Sequence, residues 1–245
     1  MSIVVDGHCH LGIGYEYQQT ENELLREMDM YEVDKAVVCP VDRCIAVDNR
    51  EGNDYILQAV RRHPDRLYAF ATANPWYGDR AVTELRRALG EGACGIKLHP
   101  ALQGFLLCDE LVYPIVESAE ELNVPVFFHT GTPAFAQPMQ LSELAMRFPN
   151  VKFIMGHMGS TDFKLEAVDA GVLSENIYLD TSWILPELVT RAVAAVGADR
   201  VLFGSDSPLS TLRIEMGARR ATRLTDEDRK KVMGGSMLRL LGETP

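Results

Sequence analysis

The chain has 245 residues, 47% of them hydrophobic and 24% charged, with a formal net charge of −11. That is enough chain to bury one sizeable core, and the acidity argues against nonspecific nucleic-acid binding and against a basic membrane-surface role. Five cysteines with no CxxC pair argue against a disulfide framework and point to a reducing compartment.

Apolar runs are short and interrupted by charge, and no basic-then-apolar leader opens the chain. The expectations are therefore no membrane span and a cytoplasmic location.

Eight short apolar, β-branched runs follow one another. They are "IVVDGH" from Ile3, "KAVVCP" from Lys35, "LYAFATA" from Leu67 and "CGIKLHP" from Cys94. Then come "VPVFFHTG" from Val124, "VKFIMGHMG" from Val151, "NIYLDTSW" from Asn176 and "RVLFGSDSP" from Arg200. Amphipathic stretches separate them. Thr20 and Glu23 form a capping box ahead of Leu24, Leu25, Met28 and Tyr31. "NDYILQAVRRH", "DRAVTELRRAL", "ELVYPIVESAEEL", "MQLSELAMRF", "FKLEAVDAG" and "PELVTRAVAAVG" follow. Thr225 and Asp228 mark a helix start after the eighth strand, and "GGSMLRLLG" reads as a short closing helix.

Strict β/α alternation predicts a parallel sheet covered by helices. Eight units in a chain of this size predict an α/β fold of the (β/α)8 TIM-barrel kind. A doubly wound sheet is the alternative, weakened by the lack of a glycine-rich fingerprint after the first strand. No linker or repeat breaks the chain, so residues 1–245 read as one domain.

Side chains alternate along a strand, so His8 and His10 share a face while Cys9 points the other way, into the core. In a parallel barrel, strand C-termini face the mouth, where active sites sit. Lys97 and His99 end the fourth predicted strand, His129 the fifth, His157 the sixth and Asp206 the eighth. Five of the six histidines thus fall at predicted strand ends; His63 reads as a solvent-facing helix cap. Any one of these is more often a hydrogen-bonded structural residue than a ligand. Convergence of four strands on one rim carries the reading. Three or four nitrogen and oxygen donors with an open position describe a catalytic metal site.

These residues resemble the amidohydrolase superfamily, and within it the amidohydrolase-2 branch that includes aminocarboxymuconate-semialdehyde decarboxylase-like enzymes. The resemblance runs through "DGHCHLG", "GIKLHP", "VFFHTG", "IMGHMG", "YLDTS", "LFGSDSP" and "GGSMLRLLG". It implies a TIM barrel of the metal-dependent hydrolase type. It also implies metal ligands at His8, His10, His129 and Asp206. His157 acts on substrate or water if one metal is bound and is a ligand if two are. Lys97 is either a carboxylated bridge between two metals or a plain cation for a substrate carboxylate. The implied cofactor is zinc, one ion favoured over two, with other divalent metals open.

Zinc lowers the pKa of bound water from about 15.7 to about 7. Asp206 would move that water's proton and His157 would steady the oxyanion. The expected reaction is hydrolysis of a small ester, lactone or amide bearing a carboxylate. The alternative is non-oxidative decarboxylation, a carbon–carbon lyase reaction. A barrel that keeps its ligands only for stability is the third reading, disfavoured by the intact set. Loops after strands select substrates; Lys97, His99, Arg43, Trp76 and Trp183 are the candidate contacts. Asp6 reads either as support for the metal shell or as a structural hydrogen-bonding group. No GxSxG elbow is present, which disfavours a serine hydrolase. The expected partner is a small molecule, with homo-oligomerisation open and neither nucleic acid nor membrane expected.

Overall fold

The computed structural model describes residues 2–160 and 163–244. Its strands are β1 (Val5–Ile13), β2 (Gln18–Gln19), β3 (Lys35–Pro40), β4 (Leu67–Ala71), β5 (Gly95–Leu98), β6 (Val126–His129), β7 (Phe153–Gly156), β8 (Ile177–Asp180) and β9 (Val201–Leu202). They join in the order β2-β1-β3-β4-β5-β6-β7-β8-β9. The short β2 pairs antiparallel with β1; the remaining pairings are parallel.

The sheet closes on itself. Gly7 N donates to Phe203 O (2.8 Å), Asp206 N to His8 O (2.7 Å) and His10 N to Ser207 O (2.8 Å), and Cys9 forms a parallel bridge with Ser207. A Cβ on Gly7 would lie 2.8 Å from the Phe203 carbonyl oxygen, so only glycine allows this seam to draw so close. The eight predicted strands thus form the expected barrel.

Strands buried on both faces read as near-continuous apolar runs, and these do. Inside the barrel, Val5, Val37, Phe70, Phe127, Ile154 and Leu202 pack with Met237 and Leu238. Each such side chain contributes about 1.5–3 kcal/mol by leaving water. The last two come from α12 (Ser236–Leu240), which packs against the strand starts. A second, larger apolar layer lies between strands and helices.

The helices before the sixth strand are α1 (Glu21–Tyr31), α2 (Asp42–Ala46), α3 (Asn49–Arg62), α4 (Asp79–Gly90), α5 (Pro100–Gln103) and α6 (Tyr113–Leu122). After it come α7 (Pro138–Arg147), α8 (Lys164–Leu173), α9 (Pro186–Val196), α10 (Leu212–Arg220) and α11 (Asp226–Lys230). Thr20 and Glu23 form the predicted capping box, and the Thr225 hydroxyl accepts from Asp228 N (3.1 Å) to start α11. "GGSMLRLLG" is not a single helix: a π-helical turn over Lys231–Gly235 feeds α12. The sequence reading omits β2, α2, α5 and α10. Among the described residues no helix is long and apolar enough to cross a membrane.

Candidate active site

β1 carries an irregularity between Asp6 and Cys9, where its register against β3 shifts. Bulges of this kind re-aim side chains beside active sites. His8 and His10 both emerge towards the mouth, with ring centroids 4.9 Å apart, while the Cys9 thiol donates to Val37 O (3.3 Å) on the core side, as strand parity requires.

Asp206 meets them across the barrel seam. Its Oδ1 lies 3.6 Å from His8 Nε2 and 3.3 Å from His10 Nε2, and donor atoms of these three residues lie within 4.8 Å of one another. The His10 Nδ1–H donates to Pro40 O (2.7 Å), because a carbonyl can only accept; Nε2 is therefore the atom turned to Asp206. Burial pushes the Asp206 carboxyl up, but His157, His10 and Lys97 outweigh that and hold it below the usual carboxylate range. The Trp183 indole Nε1–H donates to Asp206 Oδ2 (2.7 Å), so one oxygen is engaged and the other faces the imidazoles.

Lys97 is fully enclosed. Its Nζ lies 2.9 Å from His8 Nε2 and 4.0 Å from the centre of the Phe127 ring. Burial pulls its pKa down, against the Cys39, Asp206 and Asp180 charges. An ammonium donating to His8 Nε2 uses the lone pair a metal would need, so the two compete for one atom. Burial, then Lys97 and His10, hold His8 well below the ordinary imidazole range. With Nε2 accepting, the proton sits on Nδ1, which is buried without a hydrogen-bond partner among the described residues; Asp180 Oδ2 is 3.8 Å away.

A second chain of contacts sets His157. Ser182 Oγ donates to Asp180 Oδ2 (2.5 Å) and so accepts from His157 Nδ1 (2.8 Å). The His157 amide also donates to Asp180 Oδ2 (2.9 Å). These contacts put the His157 proton on Nδ1 and leave Nε2 as the free lone pair. Gly204 makes room: a Cβ there would fall 2.1 Å from Asp180 Oδ1. Burial raises the Asp180 pKa, and burial lowers that of His157 against the pull of Asp206 and Asp180.

His129 and His99 form the far wall. Their rings stack at 3.8 Å and 11°, and His129 Nε2 lies 3.2 Å from Thr132 Oγ1. His99 Nδ1 accepts from Leu102 N (3.3 Å) at the start of α5. Burial holds both well below the ordinary imidazole range. His129 is outside the cluster of three, yet it lines the same cavity of about 420 Å³ as His157, Trp183 and Asp206, with Pro133, Leu209 and Ser160. A larger hollow of about 670 Å³ at the opposite end of the barrel, beside Ser2, Val4 and Arg66, has no imidazole in its lining.

Two predicted contacts lie apart from this cavity. The Arg43 guanidinium is taken up by Glu51, Asp48 (2.8 Å) and the Ile13 carbonyl (2.9 Å). The Trp76 indole, largely exposed, donates to Gly104 O (3.0 Å). Both follow strand C-termini, but their loops lead the side chains elsewhere. Asp6 accepts from Ser205 Oγ (2.5 Å), Ser205 N (2.8 Å) and His8 N (3.2 Å). It ties β1 to the segment after β9, and burial pushes its carboxyl up to about 7 against those bonds.

Sequence reading missed Tyr17, whose ring centroid is 5.3 Å from that of His10. It also missed Glu215, whose Oε1 accepts from Trp183 N (3.3 Å). The spacing of Leu212, Glu215, Met216 and Arg219 was the available signal for the helix that bears Glu215.

His157, Trp183 and Asp206 all have left-handed backbone, φ 61°, 66° and 57°. Each costs about 1–3 kcal/mol and persists only where its surroundings impose it. Strain at three residues around one cavity marks the place where precision matters.

The amidohydrolase model of the Amidohydro_2 family matches residues 5–242; the chain belongs to this family. A gamma-resorcylate decarboxylase from Polaromonas sp. (strain JS666 / ATCC BAA-500) is 24% identical over 240 residues, spanning 76% of this chain and 74% of the relative. The 5-carboxyvanillate decarboxylase of Sphingomonas paucimobilis superposes with a TM-score of 0.83 at 15% identity, over 100% of each chain. A dihydroxybenzoic acid decarboxylase from Polaromonas sp. JS666, solved with manganese and the inhibitor 2-nitroresorcinol, gives 0.80 at 18% identity, over 99% of this chain and 97% of the other. The structural likenesses establish the barrel.

The curated relative also corrects the expected chemistry. Hydrolysis was the reaction expected of a metal-activated water, whereas these three relatives are decarboxylases. Zinc in particular gains no support, and the Polaromonas neighbour was solved with manganese.

Proposed function

We propose that this single-domain barrel is a metal-dependent, non-oxidative decarboxylase of a small aromatic carboxylate. The observation that carries the reading is the buried His8–His10–Asp206 group beside a cavity walled by imidazoles, an indole and apolar side chains, in a chain whose curated relative decarboxylates gamma-resorcylate.

Two imidazoles and one carboxylate suit a divalent metal. His8 Nε2 and His10 Nε2 both face Asp206 Oδ1, at 3.6 and 3.3 Å, a donor set that fits such an ion. We assign His8, His10 and Asp206 to the metal, with His129 as the further donor that the family resemblance implies. Manganese is the first ion to try. A metal held there supplies a Lewis acid for substrate oxygens.

The protein supplies the remaining chemistry. Pro133, Trp183 and Leu209 offer apolar surface to a ring and keep water from it. His157 and Asp206 handle the proton. The carbon–carbon bond breaks, carbon dioxide leaves with the electron pair remaining on the ring carbon, and a proton taken from water and relayed through His157 Nε2 and Asp206 is delivered to that carbon. Asp180 and Ser182 hold His157 so that Nε2 is the atom in play. Lys97 would give up His8 Nε2 to the metal and remain a buried cation beside it.

The test is incubation of manganese-loaded protein with gamma-resorcylate, following carbon dioxide release and the decarboxylated phenol by chromatography. Stoichiometric release supports the reading. Absence of carbon dioxide from a panel of hydroxylated aromatic acids, alongside water incorporation into an ester or lactone, would overturn it.

A further inference from the structure

The α10 helix buries a carboxylate and a guanidinium, Glu215 and Arg219, each 2% exposed. Taking such charges out of water costs several kcal/mol apiece, and their own pairing is loose, 3.7 Å. Both spend their hydrogen bonds on loops at the barrel mouth. Glu215 Oε1 accepts from Ser210 Oγ (2.9 Å), in the loop after β9, and from Trp183 N (3.3 Å), in the loop after β8. Arg219 donates to Thr181 O (3.1 Å) and to the Ile184 carbonyl. Trp183 is thus held at its own amide and on both sides of it.

What is held is a strained residue. A bulky side chain at φ 66° is a conformation that a free loop would abandon. The product of that strain is the 2.7 Å bond from the indole N–H to Asp206 Oδ2, while Oδ1 faces His8 and His10. Ser210 belongs to the same turn as Asp206, whose carbonyl accepts from Ser210 N (3.2 Å). Glu215 therefore fixes donor and acceptor together.

We propose that Glu215 and Arg219 are positioning residues: they hold Trp183 in its left-handed conformation so that its indole N–H takes one oxygen of Asp206 and presents the other to the imidazoles. Neither touches the cavity group directly. The activity readout rests on the role proposed above for Asp206; the fluorescence readout does not.

The chain has two tryptophans, so a Trp76→Phe parent leaves Trp183 as the sole indole. In metal-free protein, Glu215→Leu and Arg219→Met should shift Trp183 emission to the red and raise its quenching by acrylamide. Glu215→Gln, which keeps Oε1 as an acceptor, should restore the parent spectrum. With gamma-resorcylate, Trp183→Phe should lower kcat by about 10- to 100-fold, as loss of a partner behind a metal ligand does. Adding Glu215→Leu to Trp183→Phe should then cost little more, because both remove the same contact.

Folded Glu215→Leu protein with unchanged Trp183 emission would overturn the proposal, as would losses that multiply in the double variant. If those variants fail to fold, Arg219→Lys decides. A single ammonium cannot fork to both carbonyls, so a smaller red shift is expected and an unshifted spectrum refutes. If no substrate is turned over, the spectra still decide.

Discussion

The two walls of the cavity are built on different principles. At the β1–β9 seam, His8, His10 and Asp206 are knitted by backbone bonds between the first strand and the segment after the last, and charge is concentrated there. At the β5–β6 side, His99 and His129 stack as two imidazoles that burial holds well below the ordinary range. One wall is rigid and charged, the other flat and neutral. On the function proposed above, a ring bearing a carboxylate would lie between such surfaces with its charged end towards a metal at the seam. The contrast implies that chemistry and recognition can be damaged separately.

The strongest way to break the contrast is to empty the seam. Removal of divalent metal by a chelator should abolish turnover, and manganese should restore it, as read by carbon dioxide release and metal analysis. Next, Asp206→Asn should lower kcat by about 10²- to 10⁴-fold, the range for a lost proton-transfer group, with circular dichroism unchanged. Ser182→Ala comes third. It leaves His157 Nδ1 without its acceptor, and about a 10- to 100-fold loss in activity is expected, carried by kcat more than by KM.

The neutral wall gives a pH signature. Because His99 and His129 titrate below about 6.5 when folded, the unfolded chain binds more protons in acid, so stability rises with pH. Their contribution is complete above the unfolded value of about 6.5 and is lost as pH falls from there towards the folded values. Asp6, pushed up to about 7, works in the opposite sense, so the test is a difference: between about pH 7 and pH 5 the urea midpoint of metal-free His129→Phe should fall less than that of the parent. The smallest effect belongs to Arg43→Ala. Its ion pairs are at the surface and apart from the cavity, so kcat and KM should stay at their starting values.

The barrel and the seam cluster were legible because both obey simple periods. Alternation placed His8 and His10 on one face, and strand ends placed Asp206 and His157 at the rim. What was not legible depends on where loops turn. Arg43 and Trp76 follow strands correctly yet find partners in Glu51 and Gly104, and no periodic rule foretells that. The α10 helix was overlooked because its inward stripe, Leu212, Glu215, Met216 and Arg219, is half charged. A search for apolar spacing passes over such a helix for the very reason that it serves the site. The choice between hydrolysis and decarboxylation was hidden for another reason: the same donors serve both reactions.

The seam has one further consequence. His8 and Asp206 are separated by most of the barrel's strands and helices, so the pair that would grip a cation exists only after everything between them has been made. An ion bound there would act as a clasp across that whole stretch of chain. By mass action it favours the finished cylinder over any open form.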